Sequence, residues 1–494
     1  MNKLFFISIV LGLASGFFAC QDGFNNYSTN PNDRLTFSRD TVAFDTILST
    51  VNTPFQVFMV YNPQSKPLLI SSVYLENGEK SPFRINVDGR VGSTFSDVEI
   101  RGNDSIYVLV NARPSENASN QPVHLIDRVV FITNGVRQEV ILEASSQDAV
   151  MWKGYTLFSD SILANDKPFV VYDSLVIGEG VTMTVKEGTT FYMHSNAEII
   201  VRGRLKMEGT LEKPILIRGD RFDYMLDIPY DLIPGQWGGI RFESSSYENE
   251  LDYVYIRNGK FGMDFGLSDV SQSKIKMKNV VMTNFKGLLI HALNCKMEAD
   301  NCEFSNAKNA LLNLTGGQYR FTHCTIANAY VSSLETGWGN SNNETVFLSD
   351  SYFDEETQKD LPYPVTAYFY NTLIWGSKNL TTSKINLEKS ETDLISLHFQ
   401  NCLIPNEEGD KNSADIVASA TQCLFNVDPK FKAIEDGKRF YDFRLDSISP
   451  ARNKADPEIA KQIPLDIDGK DRFLDEGPDI GGYEFVPTSP NPNS

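Results

Sequence analysis

Apolar and polar residues alternate along much of the first third of the chain. The alternation is clearest in the segments "FQVFMVYN", "LLISSVYL", "FRINV", "SIYVLVNA", "DRVVFITN" and "QEVILEA". A period of two places alternate side chains on opposite faces of a β-strand, and the Gly, Asn, Pro and Asp residues between the segments are typical of turns. Residues 35–148 are therefore predicted to form an antiparallel β-sandwich.

Longer phrases in this region add a family resemblance. "VYNPQSKPLLISSVYL", "SIYVLVNARP" and "VVFITNGVRQEVILEA" resemble the immunoglobulin-like ASPM/SPD-2/Hydin domains. The resemblance carries no catalytic motif, so it implies a spacer or interaction module.

The pattern changes after residue 148. The segment "LVIGEGVTMTVKEGTTFYMHSNAEIIVRGRLKMEGTLEKPILI" consists of very short strands broken by Gly or Asn, without a helical period. Such strands suit a parallel β-helix, in which each coil adds strands to sheets that run along one axis. The predicted fold class is all-β: an N-terminal immunoglobulin-like sandwich followed by a right-handed parallel β-helix over residues 149–430.

An internal repeat supports the β-helix. "NVVMTN" from Asn279, "NCEFSN" from Asn301 and "HCTIAN" from His323 follow one another at intervals of 22 residues. Asn tolerates the left-handed backbone of a corner, and stacked amides can bond along a stack. The last position of each repeat is therefore predicted to form a ladder that comprises Asn258, Asn284, Asn306, Asn328 and Asn406.

The same alignment places cysteines at one inward-facing position. Cys302, Cys324 and Cys402 share it with Val254 and Val280. The simplest interpretation is a stack of small buried side chains, and a disulfide between Cys302 and Cys324 is the alternative.

Two stretches are too long for simple corners, residues 219–236 and about 332–364. Insertions on solenoids tend to map to one face, which is often the binding face. The first loop ends at Trp237, for which a sugar-stacking platform and a structural peg are the alternatives, and the neighbouring glycines favour the peg. Candidate ligand-binding residues on the two loops are Asp223, Tyr224, Asp231, Trp338, Asp350, Tyr352 and Asp354.

The end of the chain resembles the closing segment of secreted pectate-lyase-like β-helix proteins. The resemblance rests on "DPKF", "RLDSISPA", "DIDGKDR" and "PDIGGYE", and it implies a capping segment over residues 431–486. The catalytic phrases of the related polygalacturonases (NTD, a paired Asp-Asp, GHG and RIK) do not occur. No catalytic residue, metal ligand or cofactor is predicted, and a solvated charged face is predicted at Lys274, Lys276, Lys278, Lys286, Lys296, Glu298 and Asp300.

The N-terminus carries a targeting signal. Lys3 precedes an apolar run over residues 4–18, and Ala19-Cys20 follows. The run is short for a membrane span and is typical of a cleaved export signal. The Ala-Cys step resembles the lipobox of bacterial lipoproteins, which implies a signal peptide over 1–19, acylation of Cys20 and a polar tether over 20–34.

The whole arrangement resembles the β-helix lipoproteins of Bacteroidota. This resemblance implies an outer-membrane protein held by the lipid on Cys20, at the cell surface rather than on the periplasmic face.

The net charge of the chain limits the classes of molecule that it is expected to bind. The formal net charge of −19 disfavours binding to nucleic acid, and none of the five histidines pairs at i, i+4 with another. Three hypotheses remain: a non-catalytic surface protein that binds glycan or protein, a polysaccharide lyase or glycoside hydrolase with a divergent site, and an accessory subunit of an outer-membrane assembly or uptake complex. The acidic first loop favours neutral glycans or cationic partners.

Overall fold

The computed structural model describes residues 26–119, 121–164, 166–225, 228–330, 344–354, 356–376, 385–406 and 410–487. Cys20 and the predicted signal peptide lie outside these residues. The chain divides into two compact units, Met1–Asp148 and Ala149–Ser494. Among the described residues, no helix combines the length and the apolar character needed to cross a membrane.

The first unit contains two five-stranded sheets in its described part, with strand orders β1-β3-β8-β5-β6 and β2-β10-β9-β4-β7. Inward residues of both sheets share one core, in which Phe58 of the first sheet meets Phe131 of the second edge to face. The strands are β1 (Thr36–Phe37), β2 (Thr41–Leu48), β3 (Gln56–Asn62), β4 (Leu68–Leu75), β5 (Phe83–Val87), β6 (Arg90–Gly92), β7 (Thr94–Ile100), β8 (Asp104–Ala112), β9 (Val123–Thr133) and β10 (Val136–Gln147).

One strand pair departs from the antiparallel prediction. β2 runs parallel to β10, with Thr41 opposite Ile141. The two strands come from opposite ends of the unit, so no hairpin dictates their direction. The β9–β10 hairpin has the expected turn, because Asn134 (φ 52°) and Gly135 (φ 78°) supply the two left-handed residues of a tight connection.

The last residues of the predicted tether contact this unit. The backbone N–H of Ser28 donates to the carbonyl of Pro67 at 3.0 Å, and the Asn134 side chain donates to the carbonyl of Asn30 at 3.0 Å. Ser28 and Asn30 therefore pack against the sandwich, although the prediction placed them in the tether.

The second unit forms a parallel β-helix followed by a tail. Its helices are α1 (Ser413–Ala418) and α2 (Pro457–Ala460). Its strands are β11 (Val150–Leu157), β12 (Ser161–Leu163), β13 (Phe169–Ile177), β14 (Thr182–Lys186), β15 (Thr190–Met193), β16 (Glu198–Val201), β17 (Arg204–Glu208), β18 (Ile215–Gly219), β19 (Tyr224–Met225), β20 (Ile228–Pro229), β21 (Gly239–Phe242), β22 (Asn249–Asp252), β23 (Val254–Arg257), β24 (Met263–Phe265), β25 (Ile275–Lys278), β26 (Val281–Phe285), β27 (Ile290–Leu293), β28 (Lys296–Asp300), β29 (Glu303–Ala307), β30 (Leu312–Thr315), β31 (Gly317–Thr322), β32 (Thr325–Asn328), β33 (Val346–Ser349), β34 (Ser351–Asp354), β35 (Lys359–Pro362), β36 (Val365–Tyr370), β37 (Leu373–Gly376), β38 (Ile385–Glu388), β39 (Ile395–Gln400), β40 (Leu403–Ile404), β41 (Ala420–Thr421), β42 (Leu424–Phe425), β43 (Phe431–Glu435) and β44 (Phe440–Leu445).

Three parallel ladders run along this helix. Ladder 1 consists of β13, β15, β18, β23, β26, β29, β32, β37, β40 and β42, and ladder 2 of β13, β16, β21, β24, β27, β30, β33 and β38. The long strand β13 belongs to both. Ladder 3 consists of β12, β14, β17, β22, β25, β28, β31, β36, β39 and β41.

The 22-residue repeat is confirmed. Met282 lies opposite Phe304, and Phe304 lies opposite Ile326. All three are fully buried and belong to the apolar core that runs along the helix interior.

The predicted cysteine stack is confirmed as a row of small buried groups. Cys302 and Cys324 occupy equivalent positions immediately before β29 and β32, and both are fully buried. They are free thiols, so the alternative of a disulfide between them is wrong for this structure.

The asparagine ladder is partly corrected. The repeat-end asparagines are in register, since Asn328 follows Ala327 opposite Ser305 just as Asn306 follows Ser305. However, Asn258 and Asn328 bond to the backbone, and Asn328 Nδ2 donates to the carbonyl of Ala307 at 2.9 Å. An amide-to-amide bond occurs instead at the first position of the repeat, from Asn301 Nδ2 to Asn279 Oδ1 at 2.6 Å. The stack of polar side chains therefore lies at the corner where each repeat begins, and not at the corner where it ends.

The C-terminal tail runs along the side of the helix. Its predicted position was across the last coil, yet Gly482 N donates to Thr325 Oγ1 at 2.9 Å and Asn401 Nδ2 donates to the carbonyl of Lys454 at 3.1 Å. The corner that begins each repeat presents polar side chains that also bond to the backbone of the tail, which explains this path. The tail therefore acts as a strap that joins several coils.

The strap is held by buried charges. Arg472 is fully buried, and its guanidinium donates to Asn301 Oδ1 at 2.6 Å and contacts Glu484 Oε2 at 3.3 Å. Asp466 and Asp479 are also fully buried beside it. The carboxylates are withdrawn from water, which disfavours their charged forms even though Arg472 and Lys470 act on Asp466 and Arg452 acts on Asp479.

Stability is therefore expected to fall as the pH rises. Burial raises the pKa of Glu484 to about 9, and burial raises the pKa of Asp479 to about 6. Both pKa values lie above the values near 4 of the unfolded chain, so each group stabilises the folded state fully at a pH below about 4. As the pH rises, this stabilisation is lost up to about pH 6 for Asp479 and up to about pH 9 for Glu484. Urea unfolding between pH 5 and pH 9.5 measures this decline.

A matched pair of variants isolates the cause of the decline. Glu484→Gln removes the titrating group and should flatten the pH dependence above pH 6. Glu458→Gln, at an exposed position on α2, should leave it unchanged. An unaltered slope in Glu484→Gln would contradict the assignment.

Candidate functional site

The first loop is folded back onto the helix. Gln236 Nε2 donates to the carbonyl of Ile233 at 2.8 Å, and Asn258 Nδ2 donates to the carbonyl of Asp231 at 2.7 Å. These bonds fasten the loop backbone to the neighbouring coil.

Trp237 is the structural peg at the end of this loop. Its side chain is fully buried, and its indole Nε1 donates to the carbonyl of Arg257 at 2.8 Å. Gly235 adopts a φ of 82°, which lets the chain turn sharply into the coil. The hypothesis of a sugar platform at Trp237 is wrong, because no ring face reaches the surface.

The acidic candidates of the first loop are paired with arginines. Asp231 lies 3.2 Å from Arg218 and 3.0 Å from Arg257. Asp223 accepts from Arg221 Nε at 2.9 Å. The negative charge of the loop is thus compensated locally, whereas Tyr224 remains 61% exposed.

A cavity of about 250 Å³ lies beside this loop. Asp231, Arg257, Asn284 and Tyr441 are among its lining residues. Burial, together with the nearby Asp436, raises the pKa of Tyr441 to about 12. The hydroxyl of Tyr441 therefore stays protonated at neutral pH and bonds to Asp436.

The candidate ligand-binding residues of the second loop do not lie together in the structure. Trp338 lies outside the described residues. Asp350 is fully buried, and its carboxylate accepts from Ser390 N and Leu394 N, each at 2.6 Å. These bonds organise the turn between β38 and β39.

The other two candidates of this loop lie on the β34–β35 hairpin. Tyr352 is 38% exposed. Asp354 accepts from Thr357 Oγ1 at 2.6 Å and from Glu356 N at 3.2 Å, and the bond from Thr357 lowers the pKa of Asp354. Tyr352 is thus the more accessible of the two for a ligand.

A groove that the sequence did not single out lies on the outer face of ladder 3. It encloses about 370 Å³. We call it the ladder-3 groove, and its lining comprises Lys296, Met297, Glu298, Gln318, Tyr319, Arg320, Thr366 and Tyr368. Alternate residues of β28, β31 and β36 point outward and supply its polar groups.

Strand register builds one wall of the ladder-3 groove. Glu298 lies opposite Arg320, Arg320 opposite Tyr368, and Tyr368 opposite His398. The rings of Tyr368 and His398 stack at 4.7 Å with an interplanar angle of 10°. His398 therefore covers one face of the Tyr368 ring. Tyr368 and Arg320 both line the groove.

The charges of the groove are nearly balanced. Arg320 lies 3.0 Å from Glu298 and 3.5 Å from Asp300. Burial raises the pKa of Asp300, which Arg320 opposes. The groove thus combines two cations, Lys296 and Arg320, the carboxylate of Glu298, the amide of Gln318 and the exposed ring of Tyr368, and Asp300 lies beside Arg320.

Part of the predicted charged face is corrected. Lys274 is fully buried, its Nζ donates to the carbonyl of Glu243 at 2.7 Å, and burial lowers its pKa to about 8. It precedes β25 and reaches inward at the corner. Glu298 and Asp300 face outward as predicted, but Glu298 lines the groove and Asp300 lies beside its Arg320.

Within the described parts of the chain, no group of three His, Cys, Asp or Glu side chains is arranged to hold a metal ion. The groove's donors and acceptors suit hydroxyl groups, and its aromatic ring offers an apolar face.

Comparisons with known proteins give only partial likenesses. No protein-family model and no curated protein match the chain. A family 123 glycoside hydrolase from Clostridium perfringens is 10% identical and covers 23% of this chain and 26% of its own, with a TM-score of 0.16. Vibrio cholerae VesB protease is 12% identical and covers 23% of this chain and 32% of its own, with a TM-score of 0.17.

A longer likeness is to the catalytic domain of a GH87 α-1,3-glucanase. It is 9% identical and covers 71% of this chain and 82% of its own, with a TM-score of 0.18. This chain spans about a quarter of the family 123 hydrolase. Likenesses at this level carry no functional conclusion, since a fold does not fix an activity.

Proposed function

We propose that the protein is a non-catalytic cell-envelope lipoprotein that binds a neutral glycan in the ladder-3 groove. The observation that carries the proposal is the outward-facing Tyr368, supported by His398 and placed beside Gln318, Arg320 and Glu298. The aromatic ring provides an apolar surface for a sugar ring, and the polar side chains provide partners for hydroxyl groups.

The charge balance of the groove supports a neutral ligand. The two cations of the groove, Lys296 and Arg320, are matched by Glu298 in the lining and by Asp300 beside it, so the groove has no excess of positive charge to attract an acidic polymer. The net charge of −19 further disfavours polyanions. The parallel sheet continues on both sides of the groove, which suits an extended chain of sugars.

The lipid anchor is a second part of this proposal. It rests on the apolar run at residues 4–18 and on Cys20 directly after Ala19. Acyl chains on Cys20 would hold the protein to the outer membrane, since each buried methylene contributes about 0.8 kcal/mol.

An array of neutral and acidic glycans tests the binding proposal. The full chain should bind neutral glycans, and Tyr368→Ala should lose that binding because the ring face is removed. Tyr352→Ala should retain it, although that tyrosine is similarly exposed. Loss of binding in Tyr352→Ala alone would move the site to the second loop and contradict the proposal.

A glycoside hydrolase is the second candidate function. Glu298 and Asp300 lie 3.0 Å and 3.5 Å from the same Arg320 nitrogen, and burial raises the pKa of Asp300. Glycoside hydrolysis requires a pair of carboxyl groups, one of which has a raised pKa and donates a proton. Release of reducing ends from a bound glycan, abolished in Glu298→Gln, would replace the non-catalytic proposal by this one.

A further inference from the structure

The last two coils of the helix bring two cysteines into register. Gln400 lies opposite Thr421, and Leu403 lies opposite Leu424. Cys402 and Cys423 occupy the equivalent positions between these pairs. Adjacent parallel strands are about 4.8 Å apart, which is within the Cα separation that a disulfide spans.

The two corners have matching backbone conformations. Asn401 (φ 50°) and Gln422 (φ 53°), which precede the cysteines, are both left-handed. Cys402 N contacts Cys423 Sγ at 3.4 Å, and Leu424 N donates to the carbonyl of Cys402 at 2.8 Å. The side chains therefore start from neighbouring positions on equivalent backbones.

The pair differs from its counterpart in the middle of the helix. Cys302 and Cys324 have the same register, but both are fully buried. Cys402 is fully buried as well, whereas Cys423 is partly exposed because few coils follow it. An oxidant in solution can therefore reach the terminal pair through Cys423.

We propose that Cys402 and Cys423 are a modification site at which a disulfide joins the last two coils. The Cys423 thiolate attacks one sulfur of a small disulfide such as oxidised glutathione and releases one glutathione thiolate. The Cys402 thiolate then attacks Cys423 Sγ in the mixed disulfide and releases the second glutathione. Two protein thiols are oxidised, one small disulfide is reduced, and the two thiol protons pass to the released glutathiones.

The local chemistry supports Cys423 as the attacking group. A hydrogen bond from the Cys402 thiol lowers the pKa of Cys423 to about 7, and burial raises the pKa of Cys402 well above its usual range. A thiol with a pKa near neutrality is the more reactive nucleophile. Burial raises the pKa of Cys302 in the same way, and that pair has no exposed member.

The bond would close the segment that contains α1, whose Ile416 is buried in the helix interior. Since a covalent link limits the unfolded chain, it stabilises the open end of the β-helix against fraying.

Oxidised glutathione tests the site on the full chain. The protein is incubated with it, alkylated and digested without reduction. Peptide mass spectrometry should find Cys402 linked to Cys423, while Cys302 and Cys324 remain alkylated. Treatment with dithiothreitol should restore both thiols.

Single variants separate the two steps. Cys402→Ser should accumulate a glutathione adduct at Cys423, because no second thiol displaces it. Cys423→Ser should show neither adduct nor link, and Cys324→Ser should behave as the wild type. An adduct that persists at Cys423 in the wild type, a link between Cys302 and Cys324, or no reaction at Cys423 would each overturn the proposal.

Discussion

Replacing Trp237 with alanine is expected to lower the free energy of unfolding of the β-helix by about 3–5 kcal/mol. The indole is one of the largest fully buried side chains, and its removal leaves a cavity in the interior core. It also leaves the carbonyl of Arg257 without its donor. Denaturant unfolding of the full chain, followed at the transition of the helical unit, measures the loss.

Two further variants control for this effect. Trp237→Phe keeps most of the apolar volume and should cost less than the alanine variant. Tyr224→Ala removes a 61% exposed ring from the same loop and should change the stability by less than about 0.5 kcal/mol. A Trp237→Ala protein as stable as the wild type would contradict the conclusion that this ring stabilises the core of the β-helix.

Replacing Arg472 with methionine should cost a similar amount, about 3–5 kcal/mol, because it removes the buried cation that faces the acidic side chains of Asp466, Asp479 and Glu484. Glu484 and Asn301 Oδ1 would both lose their partner. The strap would then detach from the corner of the helix, and limited proteolysis of the tail measures this directly. The cost should increase with pH, since Glu484 must then bear its charge without a cation.

The surface variant Arg128→Met provides the comparison. Arg128 pairs with Glu76 at 2.8 Å in the first unit, but both side chains are more than a third exposed. Exposed pairs contribute at most about 1 kcal/mol, so this variant should leave the protein nearly as stable as the wild type. Equal losses in the two arginine variants would argue against a special role of the strap.

The β-helix could be predicted because its evidence is local. The 22-residue spacing of Asn279, Asn301 and His323 reflects one coil each, and the register of the strands reproduces it. The same spacing also predicted that Cys302 and Cys324 lie in the interior of the β-helix. What it could not decide was whether the first or the last asparagine of a repeat forms the amide stack, because Asn279, Asn284, Asn301 and Asn306 are all left-handed.

The ladder-3 groove could not be predicted, because it depends on coils of unequal length. Arg320 and Tyr368 are neighbours in the structure, although the second loop separates them in the sequence. A signal was present in "VTAYFYNT", where Tyr368 and Tyr370 alternate with the buried Phe369 and so face outward. Only the register shows which residues of other coils they meet.

The path of the tail depended on contacts between distant residues. The buried arginine and acids of "DIDGKDR" and "PDIGGYE" look like surface charges in a local pattern. Their burial follows from the polar corner at Asn301 and His323, which the tail covers. The acidity of the first loop was likewise misleading, since Arg218 and Arg257 compensate Asp231.

Titration calorimetry with a glycan bound by the wild-type chain tests the central claim most directly. Tyr368→Ala should weaken the affinity about tenfold or more, the equivalent of about 1.4 kcal/mol, because the sugar loses its aromatic contact. Tyr107→Ala, which removes a similarly exposed ring from the first unit, should leave the affinity unchanged. Equal affinities for the wild type and Tyr368→Ala would contradict the assignment of the ladder-3 groove as the glycan site.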